Sequence, residues 1–331
     1  MQTALDSDAW AVRLRTGAVV ADLTGRGSLA VTGPDSAELL HGLVTNDVKA
    51  LRPGSGGHAA LLTPKGKMRA DLNVLRLAAD EFLLDCEPAL AVPLLAILAG
   101  YVPFSRSTLE DRTASTGLVH LEGPAAPDVL AAAGISEPGA SPFSHLVTGI
   151  GDGTVLVVRV SRAGEPGFDL LTRPDASPRL LDLLARHGAQ HVPPEVLEAG
   201  RIEAGIARWG AELDETVLPN EAWLERTAIS YTKGCYLGQE TVARLKTYGH
   251  VNRHLVALLL PFGSGAAPGD AVRTGEETVG RVTSAVDSTL RGHRVALAFV
   301  RREHEAPGTT LVVDSVSGPA ECIVAAVPLG R

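Results

Sequence analysis

A chain of 331 residues, 45% hydrophobic and 21% charged, has the balance of a folded protein of two or three domains. Its net charge of −8 and its 4% aromatic content remove any general attraction to phosphate backbones and leave few stacking platforms, so nucleic acid is not expected as a direct partner. No window is long and uncharged enough for a membrane span, residues 1–15 carry Asp6 and Asp8 without the apolar core of a signal peptide, and three widely spaced cysteines suit a reducing cytoplasm better than a disulfide framework.

Residues 19–23 and 28–31 are strand-like. Gly33-Pro34-Asp35 opens a helix with Pro34 suited to its first turn, and Leu39, Leu40, Leu43 and Val44 form its apolar face. Residues 58–63 and 68–77 predict two strands joined by the turn Pro64-Lys65-Gly66-Lys67, and residues 81–86 a third. A helix over 90–98 and a segment over 104–109 follow. The middle of the chain repeats this order: strand 117–121, helix 124–133, strands 154–160 and 168–172, helix 178–187. A further helix is predicted over 194–207, and another over 239–246. From His250 the pattern changes to six short strand-like runs, 254–260, 271–274, 278–286, 294–300, 310–313 and 321–327, which predict a small barrel or sandwich. The expected architecture is therefore α+β. Two related lobes, about 1–112 and 113–200, and a segment 201–248 precede a β-domain over 249–331.

Chemistry concentrates in Lys233-Gly234-Cys235-Tyr236-Leu237-Gly238-Gln239-Glu240. Cys235 stands in a glycine-flanked loop ahead of a predicted helix N-terminus and two residues from Lys233, both of which favour a thiolate. Cys86 and Cys322 sit in apolar strands and read as core residues. One reactive cysteine is too few for a stable iron–sulfur cluster or a structural zinc site, and His250 and His254 read as surface residues, so no metal site is expected. Arg201-Ile202-Glu203-Ala204-Gly205 offers a carboxylate able to pair with two adjacent N–H donors. Gly66-Lys67-Met68-Arg69-Ala70-Asp71 offers a second, after a turn. Neither a phosphate-binding glycine loop nor a Gly-x-Ser-x-Gly elbow is present.

These motifs resemble the YgfZ-type folate-binding proteins, relatives of the glycine-cleavage aminomethyltransferases. The likeness rests on residues 233–240 and extends through Thr241-Val242-Ala243-Arg244, Gly249-His250-Val251-Asn252-Arg253, Leu218-Pro219-Asn220-Glu221 and Leu43-Val44-Thr45-Asn46-Asp47. It implies two lobes forming a folate-binding body, a C-terminal barrel, and tetrahydrofolate or a one-carbon derivative in a central channel. Glu203 would pair with the pterin. Asp71, Asn46, Tyr236 and Gly238 would contribute to the folate site, and Cys235, tuned by Lys233, would be the reactive group. The implied role is assembly or repair of iron–sulfur enzymes, including tRNA-modifying ones, through transient contact with those enzymes or with assembly proteins. Aminomethyltransferases carry paired aspartates where this chain has Ala70 and Asp71. The alternative reading is a folate-dependent one-carbon transferase or demethylase, in which Cys235 is incidental.

Overall fold

The structure, a computed structural model, describes residues 2–151 and 153–328. The chain enters through α1 (Gln2–Thr16) and β1 (Val19–Asp22). It then runs through β2 (Gly27–Thr32), α2 (Ser36–Leu43), β3 (Ser55–Leu62), β4 (Met68–Ala78), β5 (Glu81–Cys86), α3 (Ala91–Ala99) and β6 (Thr108–Asp111). The second unit comprises β7 (Gly117–Glu122), α4 (Ala126–Ala132), β8 (His145–Ile150), β9 (Gly153–Arg159), β10 (Gly167–Thr172), α5 (Ser177–Arg186) and β11 (Gln190–His191). After α6 (Pro194–Ala204) and α7 (Gln239–Tyr248) come β12 (Arg253–Pro261), β13 (Ala271–Thr274), β14 (Glu277–Ser288), β15 (His293–Arg301), β16 (Thr310–Ser315) and β17 (Gly318–Ala325).

The repeat expected from the element order is present in the topology. The first sheet runs β3-β4-β5-β2-β6, and the second runs β11-β1-β7-β10-β9-β8. Each thus contains the same four-strand order, β3-β4-β5-β2 in one and β8-β9-β10-β7 in the other. The cut near residue 112 falls between β6 and β7, but the first lobe does not take in everything before it. β1 belongs to the second sheet, where Val19 lies opposite Glu122 of β7. Val20 packs into the core of that lobe, and Val19 and Ala21 pack into a smaller core with Leu14, Val196 and Leu197. A strand covered on both faces is apolar throughout and shows no alternation to reveal its sheet.

Two further differences have local causes. α6 ends at Ala204 rather than 207, because Gly205 takes the left-handed conformation (φ 70°) and returns its N–H to the last turn. β8 was not expected; it is an edge strand with an exposed Val147, so its apolar pattern is weak.

The C-terminal strands close a barrel in the order β12-β15-β14-β13-β16-β17, which leaves no free edge. An apolar core shared by Met68 of the β3–β4 hairpin, Ile202, Leu213, Leu224, Tyr236 and barrel residues such as Leu255 and Leu297 joins the barrel to the body. Among the described residues no helix is long and apolar enough to cross a membrane.

Candidate functional site

A cavity of about 450 Å³ lies between the two N-terminal sheets and α6, within the size range of small-molecule sites. The pleat of β4 decides what enters it. Successive side chains alternate between faces, so Asp71 and Asn73 reach the cavity while Ala70 and Val74 point into the apolar core of the first lobe. β5 supplies Asp85, the loop between β9 and β10 supplies Arg162, and α6 supplies Glu198 and Arg201 one turn apart.

Asp71 forms a dyad with His58. The Nε2 of His58 is 2.6 Å from Asp71 Oδ1, and its Nδ1 is 2.9 Å from the Thr227 hydroxyl. Burial alone would strip the proton from His58, but the Asp71 carboxylate outweighs it and holds the imidazole pKa above its ordinary value. Asp71 Oδ2 has no hydrogen-bond partner among the described residues. Asn46 stands behind the dyad. Its side-chain amide donates to the His58 carbonyl at 2.7 Å, so Asn46 supports the strand that carries His58 and does not itself line the cavity.

Charged groups also cross the lobe boundary. Asp85 accepts from Arg26 Nε (2.8 Å), Asn73 (2.9 Å) and, from the other lobe, Arg162 Nη2 (3.0 Å). Burial opposes its charge, yet Arg26 and Arg162 together hold its pKa below the usual carboxylate range. Behind Arg162, Asp169 meets His120, and His120 meets Glu122, all deep in the second lobe. The sequence reading missed this set. A signal did exist: in the buried strand Leu118-Val119-His120-Leu121-Glu122, two ionisable residues share one face.

The other expected site residues lie elsewhere. Glu203 is buried, but its carboxylate accepts from Arg15 Nη2 at 3.0 Å and it is not on the cavity wall. Five residues along a helix rotate a side chain by about 140° from Glu198, and the α6 carboxylates on the cavity wall are Glu195 and Glu198. Lys233 was expected to tune Cys235. Its ammonium has three donors, and all three go to the carbonyls of His41, Val44 and Asn46 at the C-terminal end of α2, at 2.5, 2.7 and 3.0 Å. Burial pushes its pKa down to about 8. Lys233 therefore staples the cysteine loop to α2 and has no donor left for a thiolate. Tyr236 is a core residue beneath that staple, its hydroxyl pushed up to about 12 by burial. Gly238 is held at φ 84°, and a Cβ there would come within 2.5 Å of the Thr63 carbonyl oxygen. It is glycine because the loop docks on the β3–β4 turn, not because it faces the cavity.

Cys235 is exposed, whereas Cys86 and Cys322 are buried. Burial raises the Cys86 thiol to about 12 and the Cys322 thiol to about 11. Among the described residues no cluster of three or more His, Cys, Asp or Glu could hold a metal ion.

Residues 1–233 match the GCVT N-terminal domain, and residues 253–329 match the glycine cleavage T-protein C-terminal barrel domain. The aminomethyltransferase of Saccharopolyspora erythraea is 30% identical over 326 residues, spanning 96% of this chain and 88% of its own length. The aminomethyltransferase of Streptomyces coelicolor is 30% identical over 318 residues, 94% and 85% of the two chains. The crystal structure of the glycine cleavage system aminomethyltransferase T from Bartonella henselae superposes with a TM-score of 0.88 over 97% of this chain and 89% of that one. At 22% identity that likeness is one of fold.

Proposed function

The chain belongs to the glycine cleavage T-protein family, and from that membership we propose that the interlobe cavity takes tetrahydrofolate or a one-carbon derivative and serves a one-carbon transferase or demethylase of the aminomethyltransferase type. The observation that carries this reading is the placement of Asp71 and Ala70. The acid that remains faces the cavity, and the alanine faces the apolar core, where an aspartate could not reach a ligand.

The cavity suits a folate in its chemistry. It offers carboxylates for the N–H-rich edge of a pterin, guanidinium groups for carbonyl or carboxylate oxygens, and apolar surface from Leu23, Phe143 and Leu197 for the rings. Bound tetrahydrofolate supplies the nitrogen nucleophiles that accept a one-carbon unit at the formaldehyde level. The protein's own part is proton handling and orientation. His58 holds Asp71 Oδ1 at 2.6 Å and so fixes the orientation of the carboxylate. Asp71 Oδ2 then stays open to take a proton from an incoming amine. Glu198 is oriented on the opposite wall by Arg201 and Arg208. The test is donor-dependent formation of methylenetetrahydrofolate by the purified protein. No product from any aminomethyl donor would overturn the reading.

A second reading is favoured by one observation, the exposure of Cys235 alone among the three thiols. It is the YgfZ-type role, a tetrahydrofolate-binding accessory in the cytoplasm that supports iron–sulfur enzymes, tRNA-modifying ones included, through that thiol. Brief alkylation of the native protein at neutral pH is expected to label Cys235 first, read by mass spectrometry of the digest. Labelling of Cys86 or Cys322 ahead of it would contradict the burial described above. A Cys235→Ala strain with fully active iron–sulfur enzymes would remove this second reading.

A further inference from the structure

Four guanidinium groups line the interlobe cavity, and they differ in what they have left to offer. Arg26 has all three nitrogens engaged, Nε and Nη2 on Asp85 and Nη1 on Glu87. Arg201 divides its donors among Glu198, Glu212, the Ile206 carbonyl and Ser284. Arg208 faces Glu198 and the Trp209 carbonyl. Arg162 spends Nε and Nη2 on Asp169 (3.0 and 2.5 Å) and Nη2 again on Asp85 (3.0 Å). Its Nη1 makes no hydrogen bond to protein among the described residues, so Arg162 presents an open N–H pair at the cavity.

What stands behind Arg162 is unusually ordered for an ion pair. Asp169 Oδ1 also meets His120 Nδ1 at 2.7 Å, and His120 Nε2 meets Glu122 Oε2 at 2.6 Å. Both His120 neighbours are carboxylates, which only accept when ionised. Only the imidazolium, with a proton on each nitrogen, can donate at both ends. Glu122 in turn accepts the backbone N–H groups of Arg162 (2.9 Å), Ala163 (2.8 Å) and Glu165 (2.9 Å) and the Ser161 hydroxyl (3.0 Å). The loop is therefore pinned at its backbone by Glu122 and at the head of Arg162 by Asp169, with His120 fixing the two carboxylates relative to each other. A buried chain of charges rarely stabilises a fold better than apolar packing would. Its value beside a cavity is aim.

We propose that Arg162 anchors an acceptor oxygen of the cavity ligand, carbonyl or carboxylate, and that His120, which does not line the cavity, is the positioning residue that aims it. The inference rests on the folate reading above. Two oxygens of one ligand could serve, the pterin carbonyl or a carboxylate of the glutamate tail. Calorimetric titration of the full chain with tetrahydrofolate, and with tetrahydropteroate, which lacks the tail, separates them.

Arg162→Gln is expected to weaken tetrahydrofolate binding by about ten- to a hundredfold, the usual effect of losing a hydrogen bond to a charged group. An equal loss with tetrahydropteroate assigns the ring carbonyl; a loss confined to tetrahydrofolate assigns the tail. Arg162→Lys, which keeps the charge but not the fork, should recover only part of the affinity. Wild-type binding with an unchanged Arg162→Gln overturns this inference alone. Wild-type protein that binds neither compound overturns the folate reading and this inference with it.

For His120, the double variant His120→Gln/Arg162→Gln is expected to bind no worse than Arg162→Gln, since both act through one contact. Additive losses overturn the positioning role. If His120→Gln does not fold, ring ¹⁵N–¹H spectra of the wild type decide the matter. Both ring N–H signals assigned to His120 itself at neutral pH, apart from those of His58, support the role, and a single-tautomer His120 overturns it.

Discussion

Asp71→Asn is expected to lower the rate of one-carbon transfer by about 10²–10⁴-fold, the usual contribution of a positioned acid–base group, while tetrahydrofolate affinity changes little. The substitution keeps shape and volume. It removes the negative charge that holds His58 above its ordinary pKa and the open Oδ2 that would take a proton. Its neighbour gives the control. Ala70 is fully buried among apolar side chains, so a role for that position would be one of packing. Turnover of the Asp71→Asn protein within a few-fold of wild type, with the fold intact, would take Asp71 out of the chemistry.

Arg201→Ala is expected to lower the free energy of unfolding by about 3–5 kcal/mol, the range for leaving one partner of a buried ion pair alone. Glu212 has a fully buried side chain. It accepts from Arg201 Nη1 at 2.8 Å, the Arg208 backbone N–H at 3.1 Å, and the hydroxyls of Thr283 and Ser284 on β14. Arg201 carries the countercharge, and its Nη2 also reaches Ser284 at 3.0 Å, so the pair ties α6 to the barrel. Without the guanidinium, the buried carboxylate keeps only the neutral donors of the Arg208 backbone, Thr283 and Ser284 and has no countercharge beside it. Replacing both residues by leucine should recover most of the loss, because well-packed apolar groups commonly match or exceed a buried pair. Denaturant unfolding followed by fluorescence and circular dichroism reads both effects. A loss below about 1 kcal/mol, the worth of an exposed pair, would mean that Glu212 is better solvated than its burial indicates.

The fold was legible wherever local pattern and local structure agree. β5 has the bounds its apolar run predicts, and the β3–β4 hairpin follows from Pro64-Lys65-Gly66-Lys67. The six barrel strands follow from short apolar runs between turn residues. What escaped depended on distant partners. Nothing within residues 19–22 says that β1 crosses to the second sheet, because its partner β7 is about a hundred residues on.

The site divides in the same way. Asp71 could be placed from the strand and turn around it. Glu203 was expected at the site and Glu198 stands there instead, because a helical pattern alone does not set the phase of α6 against the two lobes. Lys233 and Cys235 are close in sequence, and that proximity suggested an electrostatic partnership. The carbonyls at the end of α2, far away in the chain, claim the lysine instead. The set from Asp85 to Glu122 draws on β5, β7, β10 and the loop before β10, so no single segment could have disclosed it.

Chemistry is expected in the interlobe cavity and not in the cysteine loop. The most direct test is methylenetetrahydrofolate formation by wild-type protein and by Cys235→Ala, with tetrahydrofolate and an aminomethyl donor present. Donor-dependent product is expected from both proteins at closely similar rates, as befits a reaction confined to the cavity. Absence of product from the wild type, or its loss on removing the Cys235 thiol alone, would contradict that placement.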